Sequence, residues 1–187
     1  MGVVFLMSGN LPKQAYRALP VDIMNLLSFI LILSTFCCAM VTGIALIFAI
    51  VIMPGLKTLG TRGFLSGFKA IDRVIQESQP VFMFIWLGSA LFLLVSTGMG
   101  FAALPRLDFV LMTVALVIYL LGVQLPTARI NVPLNNQLQT LDLENLSEGE
   151  LERVREAFAP RWLRWNVIRT WFAAFATLVQ LVVLLRM

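Results

Sequence analysis

Four long apolar segments constrain the fold of this chain more than any other feature. A helix needs about 20 predominantly apolar residues to cross the hydrocarbon core of a bilayer. The predicted spans cover residues 23–53, 80–104, 108–130 and 162–185. The sequence therefore predicts an all-α polytopic membrane protein, in which residues 23–187 form a single domain built as a four-transmembrane-helix bundle. Residues 1–22 are predicted to form an amphipathic or frayed leader.

Composition and charge support the same class. Of the 187 residues, 59% are hydrophobic and 13% are charged, whereas soluble proteins average about 45–50% apolar and about 25% charged residues. The formal net charge of +4 comes from short connectors, where Lys and Arg set the topology and contact lipid headgroups. No basic cluster is interleaved with aromatic residues. The lipid bilayer, and not nucleic acid, is therefore the expected partner.

The two long connectors follow the first and third spans, so they lie on the same side of the membrane. In the first connector, apolar residues recur at helical spacing opposite a polar face, which predicts an amphipathic helix on the membrane surface or on the end of the bundle. The apolar residues are Phe64, Phe68, Ile71 and Ile75, and the polar residues are Lys69, Asp72, Arg73 and Gln76. The second connector predicts a short amphipathic helix that begins at a capping box of Ser147 and Glu150 and ends at Pro160.

The distribution of basic residues predicts the orientation. Of the 14 Lys and Arg residues, nine lie on the connector side, four lie on the other side, and Arg169 lies within the fourth span. Cytoplasmic loops carry an excess of Lys and Arg. The long connectors are therefore predicted to be cytoplasmic and both termini external, in a bacterial inner membrane. Lys13 and Arg17 precede the first span and favour the opposite orientation.

The residue types available exclude several kinds of metal and redox site. Histidine is absent, which excludes bis-histidine haem, the facial-triad iron site and most zinc hydrolase designs. The cysteines, Cys37 and Cys38, are adjacent within an apolar run, so they point in different directions on a helix and are expected to be small packing residues. We expect no metal and no cofactor.

The fourth span begins with a polar and aromatic face. Trp162, Trp165, Asn166 and Arg169 are spaced i, i+3, i+4 and i+7, so they share one side of a helix. An Arg near the membrane edge can extend its long side chain back to the headgroups. The short amide of Asn166 has no such reach, so it is expected to bind a partner on another helix.

Several polar residues at the same end of the bundle are candidate partners for this face. They are Gln124, Asn131 and Asn135 of the third span, and Glu77 before the second span. Pro133, between the two asparagines, removes one backbone donor and frees a carbonyl. Two interpretations stay open, a structural polar clasp between the helices and a pocket for a ligand.

The motifs at this end resemble those of a known family. The segments "TGIALIFAIVIMPGL", "FKAI", "SQPVF", "INVPLNNQL" and "RWLRWNVIRTW" are similar, in order and spacing, to those of the anthrone oxygenase-like membrane proteins. The resemblance covers roughly residues 40 to 180 and implies a four-span bundle. For the fungal biosynthetic members, it also implies insertion of oxygen into an anthrone without metal or flavin, giving an anthraquinone.

Two functions from different classes follow. The first is a cofactor-independent oxygenase, or a binder of flat aromatic or quinone-like molecules. Trp162 and Trp165 would form a slot for the ring system, and Arg169 and Asn166 would stabilise the developing oxyanion. Glu77 is the remaining candidate base, although an Arg169 partner would lower its pKa. The alternative is a non-catalytic accessory or assembly subunit of a larger membrane complex.

Overall fold

The computed structural model describes residues 21–187, and the predicted leader lies almost entirely outside this range. The described residues form five helices and no strands. Four of the helices are long and apolar enough to cross a membrane, which confirms the predicted all-α, four-span fold. The helices are α1 (Val21–Lys57), α2 (Gly60–Gln76), α3 (Pro80–Ala103), α4 (Arg106–Thr140) and α5 (Glu148–Arg186).

The outer surface of the bundle is apolar. Each of the four long helices exposes large hydrophobic side chains, among them Phe29, Phe84, Val114 and Leu178. Polar side chains such as Ser34, Ser89 and Gln180 are instead fully buried between the helices. This inverted distribution suits a protein whose surroundings are lipid, because lipid tails do not drive apolar side chains inwards. The chain is an integral membrane protein.

Helix α1 packs along α3 and α5, and α5 also packs along α4. Between α3 and α4, the contacts lie chiefly on the first half of α4, Arg106–Tyr119, next to the tight turn at Pro105. The core of this half includes Leu31, Leu93 and Met112, all fully buried. Beyond Tyr119 the two helices separate, and this separation leaves room for a cavity at the connector end.

Three π-helical segments interrupt α1 and α4, and each is followed two residues later by a proline. The pairs are Phe48–Ile52 with Pro54, Leu120–Gln124 with Pro126, and Thr127–Asn131 with Pro133. A proline lacks an N–H and its ring clashes with the carbonyl four residues earlier. In all three cases that carbonyl lies within the π-helical segment, where the wider turn relieves the clash. The freed carbonyl predicted near Pro133 has this structural basis.

The first-connector helix α2 docks on the end of the bundle. Phe64, Leu65 and Phe68 are buried in a second core cluster that includes Leu151 and Trp162. Of the two predicted locations, the membrane surface and the bundle end, the structure has the second. The buried aromatic residues account for this, because aromatic side chains bury a large apolar surface when they pack between helices.

The two connectors contact each other, so they lie at the same end of the molecule. Arg62 donates to the Leu146 carbonyl at 3.0 Å and forms a salt bridge to Glu148 at 2.9 Å. Lys69 Nζ donates to the carbonyl oxygen of Leu141 at 2.5 Å. This end of the bundle is called the connector end below.

The predicted helix stop at Pro160 is wrong. The capping box of Ser147 and Glu150 is present, but α5 continues without interruption through Pro160 to Arg186. The missing N–H of a proline costs one intrahelical hydrogen bond. The neighbouring side chains of Phe158 and Trp162 are buried against α2, and this packing keeps the two parts of the helix in line.

Candidate functional site

A cavity of about 460 Å³ lies at the connector end, bordered by all five helices. Its walls combine aromatic rings with a group of polar side chains. The aromatic residues are Phe48, Phe68, Phe82, Trp86 and Trp162, and the polar residues are Asp72, Gln76, Ser78, Thr127, Asn131, Asn135, Asn166 and Arg169. The three π-helical segments contribute Phe48, Val123, Thr127 and Asn131 to the walls. The irregular backbone of α1 and α4 therefore surrounds a cavity inside the protein.

Arg169 is buried in the wall of this cavity and is 7% exposed. Its two terminal nitrogens donate to the Thr127 hydroxyl at 2.7 Å and to Asn166 Oδ1 at 2.9 Å. Its Nε has no hydrogen-bond partner among the described residues. The guanidinium group is thus held in place by neutral groups, and its Nε–H is unused.

Asn166 does bind another helix, as the sequence indicated. Its Nδ2 donates to the backbone carbonyl of Ala45 in α1 at 2.7 Å, while its Oδ1 accepts from Arg169. Asn166 therefore joins α1 to the guanidinium group. Both ends of its amide are hydrogen-bonded, and the residue is only 1% exposed.

Asn131 and Asn135 meet Trp162, not Asn166 and Arg169 as the sequence analysis expected. Asn131 Nδ2 donates to the Trp162 carbonyl at 3.2 Å, and Trp162 Nε1 donates to Asn135 Oδ1 at 2.7 Å. Helices α4 and α5 run antiparallel, so residues deeper in α5 meet earlier residues of α4. Arg169 lies seven residues, or about 10 Å, beyond Trp162. It consequently meets Thr127, eight residues before Asn135.

Asp72 is the site residue that the sequence analysis missed. The helical pattern predicts Asp72 on the polar face of α2, but it is 3% exposed and lines the cavity. Its carboxylate accepts hydrogen bonds from the amides of Asn135, Gln76 and Gln139 at 2.6, 2.8 and 2.8 Å. Burial raises the pKa of Asp72, and these three hydrogen bonds oppose the rise.

A signal for Asp72 was present in the sequence. Asp72 follows the buried Phe64 and Phe68 at four-residue spacing, so it continues the apolar stripe of α2. An acid on the buried stripe of a helix needs a set of polar partners. Two of the three partners, Asn135 and Gln139, lie in α4, more than 60 residues away, and periodicity within α2 cannot show them.

Three of the predicted residues do not line the cavity. Glu77 is exposed at the end of α2, where the chain turns at Ser78 with a left-handed φ of 61°. Trp165 is half-buried, at the edge of the α5 face. Gln124 is half-buried in a π-helical segment of α4, and its Nε2 has no hydrogen-bond partner among the described residues.

The arrangement offers a cation with an unused donor, a buried carboxylate and aromatic walls around one cavity. Such a site can bind a flat, apolar molecule with an ionisable oxygen. Within residues 21–187, no group of three or more His, Cys, Asp or Glu side chains is placed to hold a metal ion.

Comparison with known protein families gives a match. A family model described as anthrone oxygenase matches residues 71–179, which is more than half of the chain and includes the cavity residues from Asp72 to Arg169. No curated protein and no solved structure matches the chain. On this match, the chain belongs to the anthrone oxygenase family.

Proposed function

We propose that this protein is a membrane-embedded, cofactor-independent oxygenase that binds an anthrone-like polycyclic phenol in the cavity and promotes its oxidation by O₂ to a quinone. The observation that carries the proposal is Arg169, a buried cation with an unused Nε donor in an aromatic-lined cavity. Family membership supports the reaction class. The size of the cavity, its aromatic walls and the position of the cation each fit such a substrate.

The cavity volume suits a ligand of three fused rings. Small-molecule sites have volumes of about 300–1,000 Å³ and are mostly apolar with a few polar groups, and this cavity has about 460 Å³. Phe68 and Trp162 lie edge to face with ring centroids 5.1 Å apart. Phe82 and Trp86 of α3 are stacked, with centroids 6.0 Å apart. Aromatic rings from three helices thus offer contact surfaces to a flat ligand.

In this proposal, Arg169 stabilises the substrate anion, and Asn166 positions Arg169. Loss of a proton from the CH₂ group of an anthrone gives an anion whose charge is delocalised onto the ring oxygen. A pre-positioned cation lowers the energy of such an anion because it needs no reorganisation during the reaction. Asn166 and Thr127 hold the two terminal nitrogens of Arg169 at 2.9 and 2.7 Å, so the unused Nε–H has a fixed direction.

The overall reaction balances without another reductant. The substrate anion transfers one electron to O₂, and the two radicals combine to form a peroxide at the former CH₂ carbon. The peroxide takes up a proton, and its O–O bond breaks as the second C–H proton is lost. The products are one quinone and one water for each O₂ consumed. The role of the protein is to favour the anion and to keep it beside O₂ in an apolar site.

The first test is oxygen uptake by the purified protein with an anthrone. Arg169→Ala is expected to lower kcat about 100- to 1,000-fold, the usual cost of removing one donor to an oxyanion. Arg164→Ala is the matched control, because Arg164 is exposed on the same helix, and it should retain wild-type turnover. Full turnover in Arg169→Ala would exclude the assigned role.

The same preparation separates the enzyme from the accessory-subunit alternative. Purification in mild detergent should yield an active chain without a stoichiometric partner. A chain that binds no anthraquinone, consumes no O₂ and co-purifies with a larger complex would instead support the accessory subunit.

A further inference from the structure

We propose that Asp72 is the catalytic base that removes the proton from the CH₂ group of the substrate. The proposal rests on the oxygenase function proposed above and deepens it. Asp72 and Arg169 line the same cavity from different helices, α2 and α5. Glu77, the base considered from sequence, is exposed and does not line the cavity.

The hydrogen bonds of Asp72 leave room for a proton. A carboxylate has about four acceptor positions, and three amide donors occupy three of them at 2.6–2.8 Å. Asn135 holds Oδ1, while Gln76 and Gln139 hold Oδ2. Oδ1 therefore keeps the free position. These contacts also fix the orientation of the carboxylate in the cavity wall.

The partners of Asp72 are neutral, and this favours basicity. A carboxylate beside an Arg or Lys is a weaker base because the cation stabilises its charged form. Among the described residues, the salt bridges are Arg62–Glu148 and Arg186–Asp108, so Asp72 has no paired cation. Burial keeps the pKa of Asp72 above its ordinary value, which makes its carboxylate a stronger base than an exposed one.

The charged groups around Asp72 are few. On α2 itself, Lys69 donates to the Leu141 carbonyl, and Arg73 is exposed. The facing part of α4, residues 131–140, contains no charged residue, nor do residues 41–48 of α1 or 80–87 of α3. From α5, Arg169 lines the cavity, while Arg161 and Arg164 are exposed. The titration of Asp72 is therefore set mainly by burial and the three amides.

Asp72 takes up a proton in the first step of the reaction and returns it in a later step. A C–H bond of the substrate breaks, its electron pair stays on the substrate as the delocalised anion, and the proton goes to Asp72 Oδ1. After O₂ has added, the carboxylic acid returns that proton to the peroxide oxygen. The second C–H proton leaves with the departing hydroxide as water. Asp72 ends the cycle as the carboxylate, ready for another substrate.

Asp72→Asn tests the role of Asp72 as the base. Glu77→Gln is the control, because it changes an exposed acid at the end of α2. Anthraquinone, the unreactive product, is the binding probe, and oxygen uptake with an anthrone measures turnover. Asp72→Asn should bind anthraquinone within a few-fold of the wild type while kcat falls about 100- to 10,000-fold. The wild-type kcat should rise with pH through the raised pKa of Asp72, and this limb should be absent from any residual activity of the variant.

Other outcomes overturn one proposal or the other. Wild-type turnover in Asp72→Asn, or an unchanged pH limb, would overturn the role of Asp72 alone. A wild-type protein that neither binds anthraquinone nor consumes O₂ would overturn the proposed function. If Asp72→Asn does not fold, Asp72→Ala with added formate is the second test. Turnover that formate restores would support Asp72 as the base. A variant that binds anthraquinone but is not restored by formate would overturn that role.

Discussion

Trp162 connects the core cluster of the connector end to the polar wall of the cavity. Its ring is 5.5 Å from Phe48 and 5.1 Å from Phe68, between centroids, and the guanidinium carbon of Arg169 lies 6.0 Å from it. Its indole N–H and its carbonyl bind Asn135 and Asn131. The helical spacing of Trp162 with Asn166 and Arg169 predicted their common face, because that spacing depends on α5 alone.

Trp162→Phe should destabilise the fold while keeping an aromatic wall. Asn135 Oδ1 would lose its donor in a partly buried site, which costs at most about 1–3 kcal/mol. Trp171→Phe is the control, because Trp171 is 74% exposed. Thermal unfolding in detergent should show a lower Tm for Trp162→Phe and an unchanged one for Trp171→Phe. Equal Tm values for Trp162→Phe and the wild type would contradict this contribution of the indole N–H.

At the scale of the element, α4 combines an irregular backbone with a close approach to α5. Its two π-helical segments place Val123, and Thr127 with Asn131, in the cavity wall. At Gly122, within the first segment, an added Cβ would lie 2.4 Å from Cγ of Phe172. The sequence predicted an effect of Pro133 on the backbone. The contact of Gly122 with Phe172 depends on how two helices cross and has no local signature.

Gly122→Ala should therefore cost about 1–3 kcal/mol through overpacking. Gly98→Ala in α3 is the matched control, since nothing lies within 4 Å of its added Cβ. Unfolding of both variants in the same detergent gives the comparison. Phe172→Leu should partly restore the stability of Gly122→Ala, because the two side chains compete for one space. A neutral Gly122→Ala would show that α4 and α5 can separate without loss of stability.

At the scale of the whole molecule, the two connectors pack on each other and close one end of the bundle. Arg62 joins α2 to the start of α5, and Lys69 joins it to the end of α4. The sequence placed both connectors on one side of the membrane by counting spans. Their direct contact is visible only in the tertiary structure, because more than 70 residues separate the groups that bind.

The connector end is expected to face the cytoplasm. An impermeant thiol reagent should label Glu144→Cys only after the membrane is opened, whereas Arg106→Cys at the opposite end should react in intact cells. Both positions are exposed, and the native cysteines, at 0% exposure, should not compete. The reverse labelling pattern would place the connectors outside and would show that Lys13 and Arg17 dominate the topology.

The sequence by itself determined the class, the four spans and the polar face of α5, because hydrophobic length and helical period are properties of a single segment. Its motifs also indicated the family. The tertiary structure decided which residues meet. The pairing of Trp162 with Asn131 and Asn135, of Arg169 with Thr127, and of Asp72 with three amides depends on helix register and crossing. Those are set by packing across the bundle, so the same local pattern is compatible with several sets of partners.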